Sequence, residues 1–323
     1  MKHYIFRRIA QVSIVAVFVI LGNFILLKSV PGDLVDVIAG ESGSATPEYM
    51  DMLRVQFGLD RSGIEQLAIY FGQILHFDLG FSFRYNMPVT TLILERMPAT
   101  LLLLGSSILF AVVFGVIMGC LAARYRHGAF DQFMTLFSSV VFAIPVFWFG
   151  LMGIVLFAVH LRWLPIGGMV TIGASPGALG VAGDIAWHLI MPAITLSLSH
   201  LALYARVTRA SMLEVYHLDF VRTARAKGIS EAAVTVRHVL RNSLLPVVTL
   251  TGLQLGSILG GAVVVETVFS WPGMGRLAFE AVADRDINLL LSLFLCNSLL
   301  VVLSSLLIDI LYGVLDPRVG LAS

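Results

Sequence analysis

The chain has 323 residues, 58% of them hydrophobic and 13% charged, with a formal net charge of +1. A soluble globular protein carries about 25% charged residues, so this composition excludes a water-soluble enzyme, and the near-neutral balance offers no basic face for nucleic acid. The two cysteines, Cys120 and Cys296, both fall in apolar runs and read as small apolar side chains, which also excludes a disulfide-stapled secreted scaffold.

Charge is missing in blocks, and the blocks define the elements. Arg8 to Lys28 encloses 19 uncharged residues, Arg96 to Arg124 encloses 27, and Asp131 to Arg162 encloses 30. Asp184 to Arg206 encloses 21, Arg241 to Glu266 encloses 24, and Asp286 to Asp309 encloses 22. A helix needs about 20 apolar residues to cross a bilayer core, so six transmembrane helices are expected, in an all-α membrane protein. A seventh gap, Arg162 to Asp184, also holds 21 residues, but six are Gly, and Pro165 and Pro176 interrupt it. It reads as a loop. The first block follows Arg7 and Arg8, as a secretory signal would, yet it exceeds the usual apolar core of about 7 to 15 residues. No small-x-small cleavage site precedes Pro31, so a retained helix over 9–30 is expected.

An even number of spans puts both termini on one side. That side would hold residues 1–8, two loops and the tail at 313–323, with 13 Lys and Arg; the opposite side holds 3 outside the long 28–97 segment. Segments beyond about 60 residues stop reporting topology, and the richer side faces the cytoplasm. Both termini are therefore expected in the cytoplasm of an inner (cytoplasmic) membrane protein. The outer segment 31–94 alternates turn signals with amphipathic stretches, Pro47 to Phe57 and Ile64 to Phe77, which predict short helices resting on the outer membrane face. The core then runs from 95 to 312. Pro98 suits the first turn of the second span, Pro145 should kink the third, and Pro192 falls early in the fourth.

The loop at about 206–245 is the informative segment. Asp219 suits the N-cap of a helix over Phe220 to Lys227, Gly228 suits its C-terminal cap, and Ser230 suits the cap of a second helix running toward Leu245-Pro246. On the first helix Phe220, Ala224 and Lys227 share a face, Val221 lies beside them, and Arg222 and Arg225 flank the set. Two readings suit this amphiphile: a helix lying in lipid headgroups, or a plug for a cytoplasmic partner. On the other side, Glu266 to Arg276 forms a turn around Trp271, Pro272 and Gly273, either an interfacial anchor for Trp271 or a gate or protein contact made by Glu266, Trp271, Pro272, Gly273 and Arg276. His160 and Asp309 sit near span ends and reach water, whereas Asn23, Gln254 and Asn297 lie within spans, bonded to neighbouring helices or lining a path.

The run Arg206-Val207-Thr208-Arg209-Ala210-Ser211-Met212-Leu213-Glu214, followed by Asp219 to Gly228, Arg237-His238, Arg241-Asn242 and Leu245-Pro246, resembles the signature loop of ABC-importer permeases of the dipeptide/oligopeptide/nickel family. Further stretches resemble it in the same order: Phe57-Gly58-Leu59-Asp60, Asp78 to Ser82, Arg96 to Thr100, Trp163-Leu164-Pro165, Glu266 to Arg276, Arg285-Asp286, and Leu315 to Arg318. The chain has Arg and Thr where the general importer signature has Glu-Ala-Ala, and Asn288 where this branch often has Pro. The resemblance implies a type I ABC-importer permease fold. It also implies a heterodimer with a second related permease, two ATP-binding subunits, an extracytoplasmic solute-binding protein, and a di- or oligopeptide as cargo, with nickel, a metal chelate or glutathione as alternatives. Asp219, Phe220, Val221, Arg222, Ala224, Arg225, Lys227 and Gly228 would form the helix that docks on the ATP-binding subunit, with Gly228 and Leu245-Pro246 passing movement into the fourth and fifth spans.

ATP and Mg are expected on those partner subunits, with no cofactor on this chain. The only lysines are Lys2, Lys28 and Lys227, none after a glycine, so no phosphate-cradling G-x-x-x-x-G-K exists. Gly40-Glu41-Ser42-Gly43 matches an intramembrane serine-protease motif but lies outside every span and lacks a His partner. A secondary transporter or channel would show charge deep in its helices, and the six central stretches have none.

Overall fold

The computed structural model describes residues 2–29, 46–56, 60–173 and 177–315. The chain divides into two compact units, one of residues 1–96, 277–307 and 318–323, the other of residues 97–276 and 308–317.

In the first unit, α1 (Lys2–Ser29) includes a span-length apolar stretch, Ile9–Ser29. Its buried Asn23 donates to the Tyr70 hydroxyl at 2.7 Å, and Phe24 lies 5.7 Å from the Tyr70 ring. The partner of this in-span polar residue is therefore a short helix of the 31–94 segment. That segment contains α2 (Pro47–Gln56) and α3 (Gly63–Leu75). Helix α3 starts at a capping box in which Glu65 N–H donates to Ser62 Oγ and Ser62 N–H donates to the Glu65 carboxylate. A two-residue hairpin follows, β1 (Phe81–Ser82) and β2 (Met87–Pro88), with Phe81 opposite Pro88 and Ser82 opposite Met87.

The hairpin is fastened to the residues around 280–292. Ser82 donates to Asp286, which also accepts from Leu289 N–H at 3.0 Å and so caps the last helix. Asn288 donates to the carbonyls of Leu79 and Phe81 at 3.4 and 3.1 Å. A proline at this position could not make those side-chain bonds, and the Arg285-Asp286 turn stands with Asn288 in place. Tyr85 donates to Glu280 at 3.2 Å, and its phenol is pushed up by burial and then by that carboxylate.

The second unit is built around one long helix. Helix α4 (Val89–Arg124) begins well before the expected span, so Pro98 lies inside it and not in its first turn. An interior proline removes one i→i−4 bond, yet the helix runs through it over 36 residues. Pro145 does more than kink its span. Helices α5 (Ala129–Ala143) and α6 (Val146–Gly153, continuing as a π-turn Ile154–His160) meet at 102°, with Ile144 extended. A proline disfavours helical geometry in the residue before it, which ends α5 one residue early. Residues 161–173 form the expected loop, but α7 (Ala178–Val215) starts within the gap that reads as loop and carries Pro192 internally.

Helix α7 packs on α5, on α6 and on a helix of 24 residues near the end of the unit, Leu245–Val268, which is α10 in chain order. Helix α4 approaches α7 through Gly115 and Gly119. A Cβ at Gly119 would lie 2.7 Å from Thr208 Cβ, and one at Gly115 would lie 2.7 Å from Tyr204 Cβ, so only glycine allows this backbone approach. Among the described residues four helices are long and apolar enough to cross a bilayer, and the bent pair taken as one span makes a fifth. Helix α10, free of charge until Glu266, supplies a sixth segment of spanning length.

Gly119→Leu is expected to cost about 1–3 kcal/mol by overpacking, seen as a lower thermal midpoint in detergent. Gly105→Leu, on the same helix with open space at its Cβ, should leave the midpoint unchanged.

Candidate functional site

Between α7 and α10 the chain folds into a compact two-helix module. Leu218 is extended and takes the N-cap position of α8 (Asp219–Ala226), so Asp219 is the first helical residue and not the cap. There its carboxylate still favours the positive end of the helix dipole. The C-terminus is a Schellman turn: Gly228 has φ +77°, its N–H donates to Arg225 O at 2.9 Å, and Ile229 N–H donates to Ala224 O at 3.4 Å. Ser230 occupies the next N-cap position without a side-chain bond. Helix α9 follows, as Glu231–Ala233, a π-helical stretch Val234–Leu240, and Arg241–Ser243.

Helix α8 has two faces with different work. Val221 (0% exposed) and Ala224 turn inward against Met212 and Val215 of α7, Val234 and Val239 of α9, and Ala123 of α4. Val221 is thus the keel of the helix rather than part of a plug. Phe220 stays 42% exposed, beside the exposed Asp219, Arg222 and Lys227. Tyr216 and Thr235 share a hydrogen bond of 2.8 Å, and Arg225 grips Glu231 at 2.7 and 3.3 Å with its guanidinium 5.6 Å from the Tyr216 ring. The Glu231 hydrogen bond raises the already high pKa of Arg225. Phe220, Thr223, Ala224, Lys227, Ile229 and His238 line a shallow open groove of about 300 Å³.

Movement of this module would enter the unit by a wider route than α7 and α10, because its apolar core includes the end of α4. Close by, Asp131 on α5, buried, accepts from Arg209 of α7 at 2.5 and 2.9 Å and from His127 N–H at 3.0 Å. Sequence reasoning missed this pair. Asp131 marks the edge of an apolar block and Arg209 lies three residues beyond the edge of another, at Arg206, which does not show that they pair.

At the opposite end of the helices, Trp271 is 0% exposed and its indole N–H donates to Ala99 O at 2.8 Å. It is therefore no interfacial anchor: the ring completes the apolar core with Leu103, Leu196, Val265 and Phe269. Glu266 and Gly273 are also buried, and only Pro272 and Arg276 of the predicted set keep partial exposure. These residues form an internal knot and offer little surface for a protein contact. His160 is exposed, with Nδ1 2.9 Å from Val155 O. Gly40 to Gly43, Phe57 to Leu59, and the Asp309 side chain lie outside the described residues.

The family described as "Binding-protein-dependent transport system inner membrane component" matches residues 96–321, and the N-terminal family of such membrane components matches residues 1–104. The dipeptide transport system permease protein DppB of Escherichia coli K12 is 37% identical over 336 residues, covering 99% of each chain. A Brucella suis protein provisionally named a peptide permease is 40% identical over 297 residues, covering 92% of each. Among solved structures, a chain of the inward-facing MetNI methionine ABC transporter aligns with a TM-score of 0.55 at 16% identity, over 70% of this chain and 96% of that one. That likeness is one of fold.

Gly228→Ala should weaken the α8 cap by about 1 kcal/mol, since a side chain is strained at positive φ. Hydrogen exchange of the α8 amides is then expected to speed up roughly fivefold, and by less in Gly228→Asn.

Proposed function

The chain belongs to the family of binding-protein-dependent transport system inner membrane components, and from that premise we propose that it imports small peptides as one permease of an ATP-driven assembly. Family membership makes it a multi-pass inner membrane protein whose partners are ATP-binding subunits and a solute-binding protein. The peptide cargo is supported by relatives named for peptide and dipeptide transport that align along nearly its whole length. We assign a second, related permease as the other half of the pore, and two ATP-binding subunits as the seat of ATP and Mg. The absence of any lysine after a glycine supports placing hydrolysis on those subunits.

The observation that carries the reading is the two-faced α8. Its outward Phe220, Arg222 and Lys227 are free to meet a partner, while its inward Val221 and Ala224 are packed against α4, α7 and α9. A helix held this way transmits displacement instead of rolling on its seat. The excess of Lys and Arg on the module's side supports a cytoplasmic place for α8 and both termini, on the side of the ATP-binding subunits. When those subunits close on nucleotide, α8 is carried with them, and the ends of α4 and α7 follow. The nucleotide shifts the transporter only by its differential affinity for the two access states.

Phe220→Asp removes the apolar contact at an exposed site, so membrane insertion should stay normal. In the assembled transporter, stimulation of ATPase by peptide-loaded binding protein should fall at least tenfold, with peptide uptake into proteoliposomes falling alongside. Undiminished stimulation would remove α8 from the docking role. Uptake of free nickel or glutathione in preference to dipeptides would overturn the cargo.

A further inference from the structure

Glu266 is a fully buried carboxylate that the docking mechanism does not use. It sits near the last turn of α10, and every group aimed at it is a donor. Thr100 of α4 accepts from Met274 N–H at 2.7 Å, which leaves its own O–H to donate to Glu266 Oε1 at 2.8 Å. Arg276 N–H donates to Oε2 at 3.0 Å, and Gly275 N–H bonds the same carboxyl. Both amides belong to the first turn of α11 (Met274–Ala283), whose dipole favours a negative charge at that end. With only donors around it, the site is built for a carboxylate.

Four chain segments meet at this group. Trp271 N–H closes the turn on Glu266 O at 2.8 Å, while its indole holds Ala99. Gly168 N–H donates to Phe269 O at 2.8 Å, bringing in the loop after α6. The glycines are required by space. A Cβ at Gly273 would collide with the Glu266 carboxyl, one at Gly167 would lie 2.5 Å from Phe269 O, and one at Gly275 would lie 2.7 Å from Val263 Cα.

We propose that Glu266 is a positioning residue that locks α4 at Ala99-Thr100, the last turn of α10, the loop at 167–168 and the start of α11 into one block, which moves as a single body during transport. The lock is a property of this chain; only its part in transport rests on the import reading. The shared carboxylate is what makes the block cooperative. Once it is lost, the Thr100 hydroxyl and the α11 amides have no common acceptor, and each segment loosens.

Two arms test it in the assembled complex. Glu266→Gln keeps the shape but turns amide protons toward N–H donors; Thr100→Val keeps the volume but removes the bridge; Thr100→Ser keeps both bonds. Amide exchange should accelerate at least tenfold in 274–276 and in 99–103 together for the first two variants, with Thr100→Ser near wild type. Acceleration in 274–276 alone would mean there is no block and would overturn the proposal. In the second arm, peptide moved per ATP hydrolysed should drop at least fivefold in Glu266→Gln and Thr100→Val and be retained in Thr100→Ser. A parallel fall of uptake and ATPase with the amount of folded protein, leaving their ratio unchanged, would mean a structural role only and would also overturn it. If Glu266→Gln does not insert, Thr100→Val, read against Thr100→Ser, carries the same two readouts. A wild-type complex that moves no peptide would sink the import reading, and the exchange arm would still judge the lock.

Discussion

The burial of Val221 and Ala224 against the ends of α4 and α7 is the contact on which the two-helix module after α7 depends. A helix of eight residues has too few internal bonds to hold itself in water. Its stability must come from the apolar face it buries and from the cap at Gly228. The same packing that keeps α8 folded also fixes its position against the ends of α4 and α7. Because it uses only the inward face, Phe220, Arg222 and Lys227 remain available outside.

Helices α4, α7 and α10 then connect two differently built ends. At the loop end the joint is apolar, reinforced by the Tyr216–Thr235 hydrogen bond and the Arg225–Glu231 pair. The latter pair is largely exposed and adds little. The Asp131–Arg209 pair differs, because removing one partner would strand the largely buried Asp131. At the other end the joint is polar and buried, gathered on Glu266. Between them, α4 and α7 touch through Gly115 and Gly119 at backbone distance, where a small displacement of one helix must be shared by the other. Regular α-helical geometry is interrupted elsewhere, at the 102° break before Pro145 and in the π-helical stretches Ile154–His160 and Val234–Leu240.

How much was legible beforehand varies with the kind of signal. The short helix ending at Gly228 was readable because one residue type suits a left-handed cap, and Gly228 indeed has φ +77°. Pro145 announced a disturbance, though a kink and a full break look alike in sequence; the extended Ile144 decided between them. Trp271 was misread for a physical reason. An aromatic residue at a span end is common both at a lipid interface and in a core, and only the positions of Ala99, Leu196 and Val265 show that the ring is enclosed. Val221 carried the same ambiguity on a smaller scale, since an amphiphile's pattern marks its apolar side without saying what covers it.

From its order of residues alone this chain is determined to be a membrane protein with six apolar segments, a charged two-helix loop and no nucleotide cradle, because charge spacing, helix caps and the lack of Gly-Lys pairs are local properties. Which side of α8 is keel and which is free, the joining of Thr100 to Glu266 across 166 residues, and the pairing of Asp131 with Arg209 across 78 were decided by the tertiary structure. Such contacts exist only after the helices pack, and packing depends on which surfaces fit, a property no single segment contains.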